Sequence, residues 1–366
     1  MLNQKLGMKK IIFADQLRCV AALSVVFVHL FGGYWAWRDL IAAHIMAPIL
    51  NGPNSPALTL VSTFNFGPFG VSLFFLISGF VISFSLEKMT AGRFLLARAF
   101  RIYPTYIACL AIGLCASWLS SRYWDVPFTV TPRTILLNAL LINNLKGVES
   151  FDLVNWTLAI ELKFYIVMAA LAALGMHRRV AAFLAVSALI VVLTVFEPRG
   201  PAGALLIRDL AFVPYMLIGT VFGLHMRGAL TNRQAFASIM ALVLAFHSIA
   251  FVSNFRNAPM PAPLDIYLLN IAVFALAYIV RDKFRPIRIV DFFARISYPL
   301  YAVHPILGYV LLRLLMSLGF STITALCITL TTAVSIAYAV HRLIERPSTS
   351  LGKLLSLSGA RPLSAT

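Results

Sequence analysis

The chain has 366 residues, of which 60% are hydrophobic and 12% charged, with a mean hydropathy of +0.88. A soluble domain carries roughly a quarter charged residues, so this composition cannot build a water-facing surface and excludes an ordinary soluble protein. Lys+Arg outnumber Asp+Glu by 30 to 13, a formal net charge of +17; in a soluble chain that points to nucleic acid, whereas in a membrane chain it collects in cytoplasmic loops.

Apolar runs fall near 11–34, 61–86, 99–119, 156–175, 180–196, 205–227, 235–253, 263–281, 296–316 and 321–343. Each approaches the ~20 residues a helix needs to cross a bilayer. They predict an all-α polytopic transmembrane bundle of about ten spans. A cytoplasmic segment 1–10 precedes a membrane domain 11–346, and a short, unstructured cytoplasmic tail 347–366 follows. Lys9 and Lys10 before the first run imitate a signal peptide. Asp15 and Arg18 interrupt its apolar region and no A-x-A-like site follows, so it reads as a retained span. Thr134–Asn144 is too short to cross and reads as interfacial or re-entrant. Cys19, Cys109, Cys115 and Cys327 lie in apolar runs without metal-ligand spacing and read as buried structural thiols.

With the N-terminus inside, cytoplasmic segments hold about 20 Lys and Arg and the opposite loops about 6 (Arg38, Arg122, Arg133, Lys146, Arg199 and Arg256). That bias predicts both termini in the cytoplasm, a place in the cytoplasmic (inner) membrane surrounded by lipid, and no nucleic-acid partner.

A charge near mid-membrane costs at least ~2.5–3.5 kcal/mol and marks a pathway or a site. The candidates are Asp15, Arg18, Glu161, Lys163, Arg208, Asp209 and Arg313, with His29, His225, His247 and His304. Arg18 and His29 stand eleven residues apart, about 16 Å of rise, and point in nearly the same direction. Asp15, one turn from Arg18, is placed to pair with it. One helix face thus carries a guanidinium near the inner end and an imidazole deeper in, the layout for a long anionic ligand with its reactive end at His29. The alternative has Arg18 snorkelling beside Asp15 and His29 packing; spacing alone does not separate the two. Arg98 and Arg101 share a face and suit phosphate, or flank the span as ordinary topological charges. Glu161 is placed in the outer half with His29, to orient or charge-balance an imidazole base, or else caps its helix. His304, before Pro305, lines the cavity or packs.

Several segments carry a family resemblance. DQLRCVAALSVVFVH, FGVSLFFLISGFVIS, LLARAFRIYPTY, NWTLAIELKFY, ISYPLYAVHP and HRLIERP resemble, in family order, the motifs of the acyltransferase family 3 integral membrane proteins. Ser72 departs from the pattern, since many members carry Asp there. The resemblance implies transfer of an acyl group, most often acetyl, from coenzyme A to a hydroxyl of a surface polysaccharide, oligosaccharide, lipid or macrolide. It maps Arg18 and His29 to the essential Arg and His, Arg98 and Arg101 to the coenzyme-binding pair, and Glu161 to the motif glutamate. Asp15, Ser78, Trp156, Tyr298 and His304 are expected to line the cavity or meet the acceptor.

The reading that results is an acyl-CoA-dependent O-acyltransferase with no metal, whose partners are acyl-CoA (acetyl-CoA or another) and a glycan or lipid-linked glycan acceptor. Arg18, Arg98 and Arg101 hold the donor. His29 acts as general base or as transient acyl carrier. A secondary transporter is the main rival, but would show internal repeats and paired interrupted helices, and neither is visible; a non-catalytic membrane scaffold would tolerate loss of His29 and Glu161.

Overall fold

The computed structural model describes residues 11–51, 66–196, 201–255 and 263–357. The expected N-terminal segment 1–10, the first part of the second apolar run, Arg199, Arg256 and the last residues of the tail lie outside this range. Among the described residues all regular structure is helical. In lipid no water can satisfy backbone N–H and C=O groups, so a chain this apolar must satisfy them within helices.

The elements run α1 (Ile12–Ala36), α2 (Arg38–Ile45), α3 (Phe66–Ser85), α4 (Ala91–Trp124), α5 (Pro132–Ala139) and α6 (Asn155–Ala173). They continue as α7 (Val180–Val195), α8 (Pro201–Met226), α9 (Asn232–Phe255), α10 (Leu264–Ile279), α11 (Arg288–Ser317), α12 (Thr322–Val340) and α13 (Arg346–Leu357). Eight of the described helical stretches are long and apolar enough to cross a membrane, and α7 and α10 are shorter apolar helices. These ten correspond to the ten apolar runs. α5 occupies the stretch too short to cross; Thr131 caps it by accepting from the Thr134 amide at 3.2 Å, with Pro132 in the first turn.

Polar contacts sort the loops between two ends. Glu87, after α3, pairs with both Arg178, before α7, and Arg227, after α8. Gln16, early in α1, donates to the Arg285 carbonyl before α11 at 2.6 Å. At the opposite end Arg38 donates to the Leu50 carbonyl, and Arg313 donates to Pro48 and lies over the Trp124 ring. This is the alternation a polytopic bundle requires.

The tightest pairing is α3 with α8. A Cβ on Gly79 would run into the Met216 carbonyl, and one on Gly219 into the Leu76 carbonyl; the two backbones touch. Small residues at such crossings are what allow close packing where lipid gives no hydrophobic drive. Two apolar cores result. One joins α1, α3, α4 and α6 to α7, α8, α9 and α10; the other joins the far end of α1 to α2, α4, α11 and α12.

Two expectations are corrected. The tail does not lose structure at 347: a π-helical turn His341–Glu345, with Glu345 bonded to His341 at 2.6 Å, leads into α13. Pro347 falls in the first turn of that helix, where a missing N–H costs little, and buried Gly352 packs against Phe100 of α4. Of the four thiols only Cys19 and Cys109 are buried; Cys115 and Cys327 are exposed on the bundle surface. Lipid-facing and protein-facing residues of a span are equally apolar, so apolar context does not distinguish them.

Away from the cavity described below, Asp209 is fully buried and accepts from Lys163 at 2.9 Å, with Arg208 at 3.8 Å. Removing one partner strands a buried charge, at a cost of about 3–5 kcal/mol. Lys163→Met alone is expected to lower thermal stability in detergent strongly, and adding Asp209→Leu to restore most of it. Equal loss in the single and double variants would refute a coupled pair.

Candidate active site

One cavity of about 90 Å³ opens among α1, α3, α4, α6 and α11, several times the ~10–15 Å³ that admits a single water. Its lining includes Arg18, Ser78, Arg98, Arg101, Thr157, Glu161, Tyr165, Tyr298 and Tyr301. Arg98 and Arg101, one turn apart on α4, both face it, as their spacing predicts. Arg18 enters from α1 and is braced by Asp15 at 3.1 Å, the pair expected from sequence.

The charge balance is one-sided. Among the described residues neither Arg98 nor Arg101 forms an ion pair. Arg98 instead donates to Ser85 Oγ at 2.5 Å and lies over the Phe94 and Tyr165 rings, at 5.2 and 5.3 Å. The cavity's carboxylate, Glu161, accepts from Ser78 Oγ at 2.5 Å and from the Tyr165 hydroxyl. With Arg18 paired to Asp15, Arg98 and Arg101 face a lining whose carboxylate, Glu161, is already engaged by two hydroxyls. Such a pocket suits a phosphate-bearing ligand, to which planar guanidinium groups donate in pairs.

His29 and His304 are not in that lining. His29 opens a π-helical turn, His29–Gly33, inside α1, a local widening that re-aims side chains and recurs at functional sites. Its Nδ1 lies 2.9 Å from Nε2 of His304, which is fully buried on α11. Tyr301 joins the two regions. Its ring lines the cavity and sits 6.1 Å from the His304 ring, and its hydroxyl is 2.8 Å from Thr157 Oγ1.

The expectation that Glu161 orients His29 is therefore corrected: the residue bonded to His29 is His304, and Glu161 sits with the arginines. Spacing puts Glu161 and Tyr165, one turn on, on a shared helix face, but it does not say which neighbouring helix that face meets. Of the remaining expected residues, Ser78 and Tyr298 line the cavity. Trp156 does not; it packs 6.4 Å from Phe212. Ser72, where a carboxylate was expected from the family pattern, is buried, donates to the Pro68 carbonyl at 2.8 Å and accepts from Asn270 at 2.6 Å. His225 bonds Tyr278 and Asn232, and His247 bonds its own helix at Val243; neither is among the cavity residues. Among the described residues no group of three His, Cys, Asp or Glu is placed to hold a metal ion.

A polytopic helical bundle with an arginine-lined internal cavity and a pair of hydrogen-bonded histidines is a setting that suits an integral membrane transferase. The chain matches the family model described as an acyltransferase domain over residues 11–342 and belongs to that family, acyltransferase family 3. It is 30% identical over 177 residues to nodulation protein 10 of Rhizobium leguminosarum bv. viciae. That match covers 42% of this chain and 42% of the relative, so the chain spans under half of that protein's length. No solved structure matches it significantly.

Proposed function

We propose that the protein moves an acyl group, acetyl in the first instance, from cytoplasmic acyl-CoA to a hydroxyl of a glycan or lipid-linked glycan at the far side of the inner membrane. The observation that carries this reading is the pair of guanidinium groups, Arg98 and Arg101, that face the cavity with no ion-pair partner among the described residues. Guanidinium groups placed in this way favour an anionic ligand, and a donor carrying several phosphates is one the cytoplasm supplies. In this reading both termini are cytoplasmic and the arginine-rich loops face the donor.

Arg98 and Arg101 take the coenzyme phosphates and Arg18, steadied by Asp15, contacts the arm that runs along α1 toward His29. Glu161, held by Ser78 and Tyr165, keeps the arginines apart and oriented. An imidazole nitrogen of His29 accepts the proton of the acceptor hydroxyl as its oxygen attacks the thioester carbonyl. The new C–O bond forms, the C–S bond breaks, and the departing thiolate takes the proton from His29.

Labelled acetyl-CoA supplied to the cytoplasmic face of sealed vesicles tests this. Label on a membrane or surface glycan supports the reading. Uptake of an unmodified solute would favour a transporter, and neither outcome a scaffold. Arg98→Ala is expected to raise the KM for acyl-CoA by about 10–100-fold, the worth of one hydrogen bond to a charged group, with little change in the KM for acceptor. An unchanged donor KM would return Arg98 to ordinary topology.

A further inference from the structure

The histidine pair contains more information than its proximity. His304 Nδ1 lies 3.0 Å from the Leu300 carbonyl oxygen. A carbonyl oxygen only accepts, so that nitrogen carries the proton. In the neutral ring Nε2 is then a lone pair, and it faces His29 Nδ1 at 2.9 Å. The two ring planes lie within 22° and their centroids are 5.1 Å apart. That separation fits rings meeting edge to edge, with the lone pair of one directed in-plane at the N–H of the other. His29 Nδ1 must donate, which leaves the lone pair of His29 on Nε2.

We propose that His304 is a positioning residue of the transfer: it holds His29 in the Nδ1–H tautomer and so makes Nε2 the atom that receives the acceptor proton. This rests on the reading of His29 as the base. The acceptor O–H proton passes to Nε2 while the acceptor oxygen bonds to the acyl carbon of acyl-CoA. The C–S electrons leave on sulfur, which then takes the same proton from Nε2. While His29 is an imidazolium, its bond to His304 becomes charge-assisted and stronger. His304 therefore favours the charged intermediate over the resting state without changing its own protonation. A carboxylate in this position would do the same by charge; here a neutral acceptor does it, with its own orientation fixed by a backbone carbonyl one turn back.

The test uses the full-length protein carrying ¹⁵N-labelled histidine in lipid nanodiscs. Nitrogen NMR reports which nitrogen of His29 is protonated, with His29→Ala assigning the signal. The expected result is a His29 protonated at Nδ1. His304→Leu should abolish that fixed tautomer and lower kcat by about 10–100-fold, the span of one charge-assisted hydrogen bond, with the KM for acyl-CoA unchanged. His304→Gln, whose amide oxygen can accept from His29 Nδ1, should keep the tautomer and recover most of kcat. His29 protonated at Nε2 in the native protein, or the same tautomer in the native protein and His304→Leu, would overturn the proposal. So would a fall in kcat that His304→Gln does not reverse while the tautomer is kept. Whether His29→Ala is inactive tests the acyl-transfer reading separately, because the tautomer measurement does not depend on turnover.

Discussion

Replacing His29 by alanine is expected to lower acyl transfer by about 10²–10⁴-fold, the usual contribution of a positioned base, while the protein still inserts and folds. Folding is spared because α1 is anchored elsewhere, through buried Phe13, Ala21, Ala22, Val25 and Leu30. The structural cost is one acceptor, His304 Nε2, left without its donor, about 1–3 kcal/mol. Transfer of label from acetyl-CoA and a melting curve in detergent, measured on the same preparation, separate chemistry from stability. Full activity in His29→Ala would remove the imidazole from the mechanism.

The second large effect concerns packing. Gly79→Ala should destabilise the protein by at least about 3 kcal/mol, the upper part of the range for overpacked sites, and abolish activity with it. The added Cβ would meet the Met216 backbone rather than the yielding end of a side chain, so α3 and α8 must separate. Ser78, which holds Glu161, is the neighbouring residue on α3 and would move with it. Gly92→Ala is the control: a Cβ there meets nothing within 4 Å, and in a helix it should be neutral or stabilising by up to ~1 kcal/mol. Matching melting temperatures for Gly79→Ala and the native protein would show that the helices tolerate separation.

Some of the site could be read from local spacing. Arg98 and Arg101 share a face at three residues' separation, and Asp15 and Arg18 do likewise; both pairs behave as helix geometry requires. Contacts between spans could not be read in this way. Ser78 meets Glu161 across 83 residues and His29 meets His304 across 275. Nothing in a single chain's periodicity sets the relative depth or rotation of two helices. The misassignment of Glu161 to His29 is of that kind. The structured tail is another case: α13 depends on Gly352 finding Phe100 on α4, a contact its own composition does not announce.

What the amino-acid order determined alone was the solvent and the broad architecture. A bilayer imposes a one-dimensional rule, an apolar run long enough to cross it, with its backbone bonds closed inside each helix. The ten runs and the distribution of basic residues follow from that rule without reference to partners. Tertiary structure decided which polar groups meet: the arginines with one engaged carboxylate, and the two histidines with each other. Within a span, protein-facing and lipid-facing positions look alike, and only the packing of touching backbones such as α3 on α8 selects which side chains share a cavity.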